Sequence, residues 1–236
     1  MYHSESKIDL DENDANYWVN MGISLLQQGK PDKAQKYYEK ALELDPDNLT
    51  ALNNLANIFS SQGKDKKAIK YLKYLTVIQP DFAEAWINLG RIYEEAEDNF
   101  DEAMKCYNIA KDLDPLNAAL WHNRGYALKR QNKLREAIAD YNQCLKFRPF
   151  HINTLYDKAA VHMELSEFDE ADRVYDEILV IDPLYTDAIA DKGTVQLAKG
   201  NYKSAITFYD RALKMAPGNV RILYNKNIAL KELANE

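Results

Sequence analysis

The sequence predicts an all-α solenoid of six helix-turn-helix repeats followed by one further helix, and three observations carry that reading. Six prolines, Pro46, Pro80, Pro115, Pro149, Pro183 and Pro217, recur at intervals of 34, 35, 34, 34 and 34 residues. Proline lacks the N–H that continues a helix and collides with the preceding turn, so a regular series of prolines marks a regular series of helix ends. Between them, apolar residues recur at helical spacing in two separate stretches per interval. Small residues return at two fixed places, as close packing of paired helices requires.

Counting back 31 residues from each proline, and 32 from Pro115, starts the repeats at Ala15, Leu49, Ala83, Ala118, Ile152 and Thr186. Position 4 is large and apolar: Trp18, Leu52, Trp86, Trp121, Leu155 and Ile189. Position 8 is small: Gly22, Ala56, Gly90, Gly125, Ala159 and Gly193. Positions 4, 7, 8 and 11 share one face of a first helix. Position 20 is alanine throughout, from Ala34 to Ala205, and position 24 is Tyr38, Leu72, Tyr107, Tyr141, Tyr175 or Tyr209. Positions 20, 24 and 27 share one face of a second helix. Gly29, Gly63, Asn132 and Gly200 stand at position 15, where the turn between the helices needs a left-handed residue. The third repeat regains register after one extra residue within Glu94–Phe100. Pro-Asp, Pro-Leu and Pro-Gly turns close the repeats.

After the sixth repeat, Val220–Leu233 reads as a first-type helix without a second, a cap for apolar surface otherwise left open. The expected organisation is a polar, acidic tail over 1–14 and a single solenoid domain over 15–236. Its repeats cover 15–48, 49–82, 83–117, 118–151, 152–185 and 186–219, with the terminal helix at 220–234.

Composition narrows the function classes. The formal net charge of −7 repels phosphate backbones, so nucleic acid is not an expected partner. No apolar run reaches the ~18–20 residues that span a bilayer, and the first fourteen residues hold no apolar signal core. A cytoplasmic protein without a membrane partner is therefore expected. Cys106 and Cys144 fall in different predicted helices and read as buried thiols. No phosphate loop, nucleophile elbow or zinc-protease motif is present, so no enzyme, cofactor or catalytic residue is expected. His3 lies in the tail, His151 in a turn and His162 at a core position. Only His122 faces the expected groove, with no second His or Cys close in sequence, so no metal site is expected.

The pattern W-x₂-L-G-x₂-Y…A-x₃-F…P stands in WVNMGISL, WINLGRIY and WHNRGYAL and continues from Ala15 to Pro217. It resembles the tetratricopeptide repeat family. That resemblance implies antiparallel helix pairs stacked into a right-handed superhelix, with the first helices lining a concave groove that binds a protein or peptide. In this family positions 2, 5, 6, 9 and 12 of each first helix line the groove. Position 6 reads Asn20, Asn54, Asn88, Asn123, Asp157, Asp191 and Asn225, one polar rung per repeat. An asparagine amide both donates and accepts, so it can pair with peptide backbone whatever the side chains. Asn53, Asn57, Arg91, Tyr126, Lys129 and Tyr156 complete the expected groove, which turns acidic around Asp157, Glu164, Asp187 and Asp191.

At position 7, Met21, Leu55 and Leu89 give way to Arg124, Lys158, Lys192 and Lys226, expected to pair with Asp157, Asp187 and Asp191. The family's clamp for acidic C-terminal chaperone tails is not reproduced. Val19 and Ile23, then Asn53, Ala119 and Asn123, then Ile87 and Asp157, break its pattern in each window. A non-enzymatic interaction scaffold is the expected function. The alternative is a structural module that forms a homo-oligomer through solenoid ends or the convex face. An RNA reader built like pentatricopeptide repeats is disfavoured by the acidity.

Overall fold

A computed structural model describes residues 12–96 and 98–235. Most of the expected tail, residues 1–11 with His3, lies outside the described residues, as do Glu97 and Glu236. The described residues form thirteen α-helices and no strand. The first helices are α1 (Ala15–Gln27), α3 (Leu49–Ser61), α5 (Ala83–Glu95), α7 (Ala118–Arg130), α9 (Ile152–Glu164), α11 (Thr186–Ala198) and α13 (Val220–Ala234). The second helices are α2 (Pro31–Leu44), α4 (Asp65–Ile78), α6 (Phe100–Leu113), α8 (Leu134–Phe147), α10 (Phe168–Ile181) and α12 (Tyr202–Met215). Every first helix begins at the residue where a sequence repeat begins.

The chain divides into two compact units, Met1–Pro115 with α1–α6 and Leu116–Glu236 with α7–α13. Within each unit a first helix packs along the second helix of its own repeat, which packs in turn on the next first helix. First helices also touch one another directly, α3 with α5 in one unit, and α7 with α9 and α11 with α13 in the other. On the first helices position 6 is exposed or half-buried except at Asp191, and position 9 is exposed or half-buried throughout.

The helix pair closes through a glycine against a tyrosine ring. A Cβ placed on Gly22, Gly90, Gly125 or Gly193 would lie 2.6–2.8 Å from Cε1 of Tyr38, Tyr107, Tyr141 or Tyr209, closer than carbon atoms pack. All four tyrosines and all six position-20 alanines have no exposed surface. Where position 8 gains a methyl as Ala56, position 24 loses its ring and becomes Leu72. Repeat five keeps Ala159 and Tyr175 together, and there Tyr175 meets Tyr156 edge-on with centroids 6.1 Å apart. The phenol oxygens of Tyr38, Tyr107 and Tyr141 are buried without a hydrogen-bond partner, and burial alone raises the Tyr38 hydroxyl to about 12. Packing of the ring outweighs the roughly 1–3 kcal/mol cost of an unmet hydroxyl.

Turn chemistry fixes the ends. Gly29, Gly63, Gly200 and Asn132 adopt positive φ as expected, and Ser166 (57°) and Asp98 (46°) do so as well. The left-handed residue is thus a property of the turn and glycine only its least strained occupant. Asp98 lies in the α5–α6 turn, one residue longer than its counterparts, so the insertion leaves both helices undisturbed. Asp14, Asn48, Asn117 and Asn219 cap the next first helix by accepting from a first-turn N–H.

Gly125→Ala is expected to cost about 1–3 kcal/mol in urea unfolding, because Ala137 O at 3.3 Å backs the ring contact with rigid backbone. Adding Tyr141→Leu should recover part of that loss, reproducing the Ala56–Leu72 pair. Ser166→Gly relieves left-handed strain and should raise stability by roughly 0.5–1 kcal/mol.

Candidate functional site

In the first unit the amide-bearing positions gather on the first-helix layer. Asn20 is exposed on α1, Asn54 and Asn57 are half-buried on α3, and Asn88 and Arg91 are half-buried on α5. Asn53 is 8% exposed and accepts at Oδ1 a 2.8 Å bond from Asn88 Nδ2. The series does not bond rung to rung: the link runs from position 6 of one repeat to position 5 of the repeat before. That bond orients both amides, leaving the Asn53 NH₂ as donor and the Asn88 Oδ1 as acceptor. Arg91 Nη1 pairs with Glu95 at 2.7 Å, and Nη2 donates to Asn57 Oδ1 at 3.5 Å. The Arg91 charge is therefore shared with its own helix.

The second unit carries a charged and aromatic counterpart. Asn123 is half-buried and Tyr126 exposed on α7, while Lys129 Nζ sits 3.7 Å from Asp157 and 3.9 Å from Glu164. Burial raises the Asp157 pKa above its ordinary value, opposed first by Lys129 and then by His122. Tyr156 Oη donates to Asp191 Oδ2 at 2.5 Å, and Asp191 Oδ1 takes Arg221 Nη1 at 2.5 Å. Arg221 also lies 3.5 Å from Asp187. The expected acidic end is thus threaded by a cation that sequence reasoning did not single out. Arg221 stands at position 2 of α13, so carrying the groove positions onto the terminal helix would have found it.

The position-7 cations do not pair with Asp157, Asp187 and Asp191 as expected. Arg124 forms two 2.7 Å bonds with Asp140 of α8, and Lys226 pairs with Asp210 of α12 at 2.6 Å. Lys192 is 4% exposed and holds Asp172 at 2.8 Å and Asp176 at 2.7 Å, both on α10. One residue further round the helix, position 7 points into the second-helix layer, whereas position 6 points out of the first. Burial lowers the Lys158 pKa, with Glu177 opposing.

The fold also assembles a cluster the sequence spacing concealed. His122 Nδ1 and His151 Nδ1 lie 2.9 and 2.7 Å from Thr154 Oγ1, with Cys144 Sγ at 3.3 Å. The two imidazoles meet edge-on with centroids 5.4 Å apart. His151 stands at the N-cap position of α9 and so comes beside α7, although 29 residues separate it from His122. Burial pushes the Cys144 thiol up, which keeps it a thiol. Among the described residues no group of three His, Cys, Asp or Glu could hold a metal ion. Their placement makes these residues a polar joint between repeats four and five.

Burial is the largest influence on both imidazoles and lowers both pKa values, Asp157 opposing it, while His151 lowers His122 further and Arg148 lowers His151. The unfolded chain therefore binds protons more readily than the folded one near pH 6.5, so stability rises with pH through that value and is lost below it. Urea midpoints measured from pH 7.5 down to 5 should fall, and should fall less in His151→Asn.

Four sequence models described as tetratricopeptide repeat match residues 12–73, 83–115, 118–151 and 156–220. The peroxisomal targeting signal receptor of Candida glabrata is 29% identical over 70 residues, 30% of this chain and 12% of that protein. The human mitochondrial import receptor subunit TOM70 is 40% identical over 43 residues, 18% of this chain and 7% of that protein. Both alignments thus span a small part of longer relatives. The structure of PilW, a type IV pilus biogenesis factor, superposes with a TM-score of 0.81 at 20% identity, covering 92% of this chain and 98% of that one. Repeat models covering most of the sequence and a matching all-α fold place the chain in the tetratricopeptide repeat family.

Proposed function

We propose that this chain is a non-catalytic scaffold that holds an extended peptide, or a partner's helix, on its first-helix layer. An interaction scaffold is the role its family and relatives support, two of those relatives being named as receptors. The observation that carries the finer reading is the Asn88–Asn53 pair. Its fixed amides leave one acceptor on Asn88 and one donor on Asn53 outside the pair, the complement of a peptide unit's N–H and C=O. Asn20, Asn54 and Asn57 extend the same chemistry along α1 and α3. In the second unit, Asn123, Tyr126, Lys129, Tyr156, Asp157 and Asp191 provide a more selective surface. Because Lys129 and Arg221 already engage these acids, a cationic ligand side chain must compete with existing ion pairs.

At roughly 1 kcal/mol net per hydrogen bond, a few amide contacts less the cost of ordering a peptide support micromolar affinity, about −8 kcal/mol. Peptides selected from a display library against the purified chain supply the ligand for the test. Asn88→Ala and Asn53→Ala should each weaken the selected peptide at least fivefold by fluorescence anisotropy while circular dichroism shows the helical fold retained. Equal affinity in both variants would remove the amide pair from the binding site.

A further inference from the structure

One cation of the second unit lacks the carboxylate that its counterparts hold. The position-7 side chains Arg124, Lys192 and Lys226 are each ion-paired at 2.6–2.8 Å. Lys158 occupies the same position on α9, half-buried, and makes no ion pair or hydrogen bond among the described residues. The repeat register explains the gap. Lys192 reaches back to Asp172 and Asp176, positions 21 and 25 of the preceding repeat. Lys226 likewise reaches back to Asp210, position 25 of the repeat before it. Before Lys158 those two positions hold Ile138 and Asn142. Arg124 uses Asp140 at position 23 of its own repeat, where repeat five has Val174. Each place from which an acid reaches a neighbouring cation is therefore uncharged around Lys158.

These side chains line an open cleft of about 330 Å³ formed by α8, α9 and α10. Formal charge along the cleft is balanced, Lys158 and Arg173 against Glu170 and Glu177. Direct pairing is not balanced. Arg173 and Glu170 hold each other at 2.5 Å, and His162 Nδ1 lies 2.8 Å from Glu167, which Arg135 also holds. Glu177 acts on Lys158 through space without forming an ion pair, and stays exposed on α10. Burial accordingly lowers the Lys158 pKa, because its charge loses water and gains no carboxylate in contact.

We propose that this cleft binds an acidic side chain of a partner polypeptide, its carboxylate accepting from Lys158 Nζ and the Asn142 amide. The occupant is read from the next repeat, where the equivalent cation is met by two aspartates four residues apart on one helix. A partner helix with that spacing carries its two carboxylates on one face and can present them to the cleft together. A charge-assisted hydrogen bond to a half-desolvated ammonium is stronger than the same bond in open water. None of the residues lining the cleft belongs to the peptide surface proposed above, so the two sites stand or fall separately.

The test follows the Lys158 side chain by NMR in the 236-residue chain labelled with carbon-13 and nitrogen-15 lysine. The probe is a capped, alanine-based helical peptide of about 15 residues with two aspartates four apart. Its two-asparagine version and acetate are the controls. The aspartate peptide should shift the Lys158 signals saturably, at least tenfold more tightly than either control, and raise the Lys158 pKa towards the usual lysine value. Lys158→Gln should abolish binding, and Glu177→Gln should strengthen it. Asn142→Asp supplies an internal carboxylate at the position of Asp176 and Asp210, so it should weaken the peptide at least tenfold and raise the urea midpoint. Asn142 and Glu177 are exposed, and circular dichroism checks that each variant folds. Unmoved Lys158 signals, or peptide binding unchanged in Asn142→Asp, overturn the proposal. Equal binding of the asparagine peptide overturns the carboxylate, and acetate bound as tightly as the aspartate peptide overturns the polypeptide as occupant.

Discussion

The structure depends on one short-range constraint, the approach of a position-8 glycine or alanine to the position-24 side chain across each helix pair. With 2.6–2.8 Å between a would-be methyl and the ring in four repeats, the inter-helix distance is set by the ring's thickness. That distance fixes how far each first helix sits from its partner, and hence how the next repeat is received. A buried tyrosine with an unmet hydroxyl is an expensive way to fill such a gap, and its recurrence at Tyr38, Tyr107 and Tyr141 shows how strongly shape outweighs polarity there.

The same constraint separates two faces of each first helix. Position 8 is committed to the ring and position 7 to the second-helix layer, which draws Arg124, Lys192 and Lys226 into ion pairs away from the expected groove. Position 9 throughout, and position 6 except at Asp191, stay exposed or half-buried. The surface that results is amide-rich in the first unit and internally ion-paired in the second. Two surfaces of different chemistry thus arise from one repeat by changing residues that the packing leaves free.

Helix starts were legible because prolines and small residues encode local geometry, and local geometry repeats. The left-handed conformation at Ser166 and Asp98 was hidden, since neither residue announces positive φ as glycine or asparagine does. The position-6 residues were found by counting, but their partners were not. Whether Asn88 bonds to Asn54 or Asn53 depends on the rotation between neighbouring helices, which a one-dimensional period does not carry. His151 reads from sequence as a turn residue, because its meeting with His122 runs between elements rather than along one helix.

The most direct test of the scaffold account observes the asparagine side chains themselves. Nitrogen-15 spectra of the chain titrated with a selected peptide resolve the side-chain amides of Asn53, Asn54, Asn57 and Asn88. The account predicts saturable shifts at Asn53 and Asn88, with slowed amide exchange as the peptide covers them. Shifts confined to the second helices or the proline turns, with those asparagine signals unmoved, would contradict it.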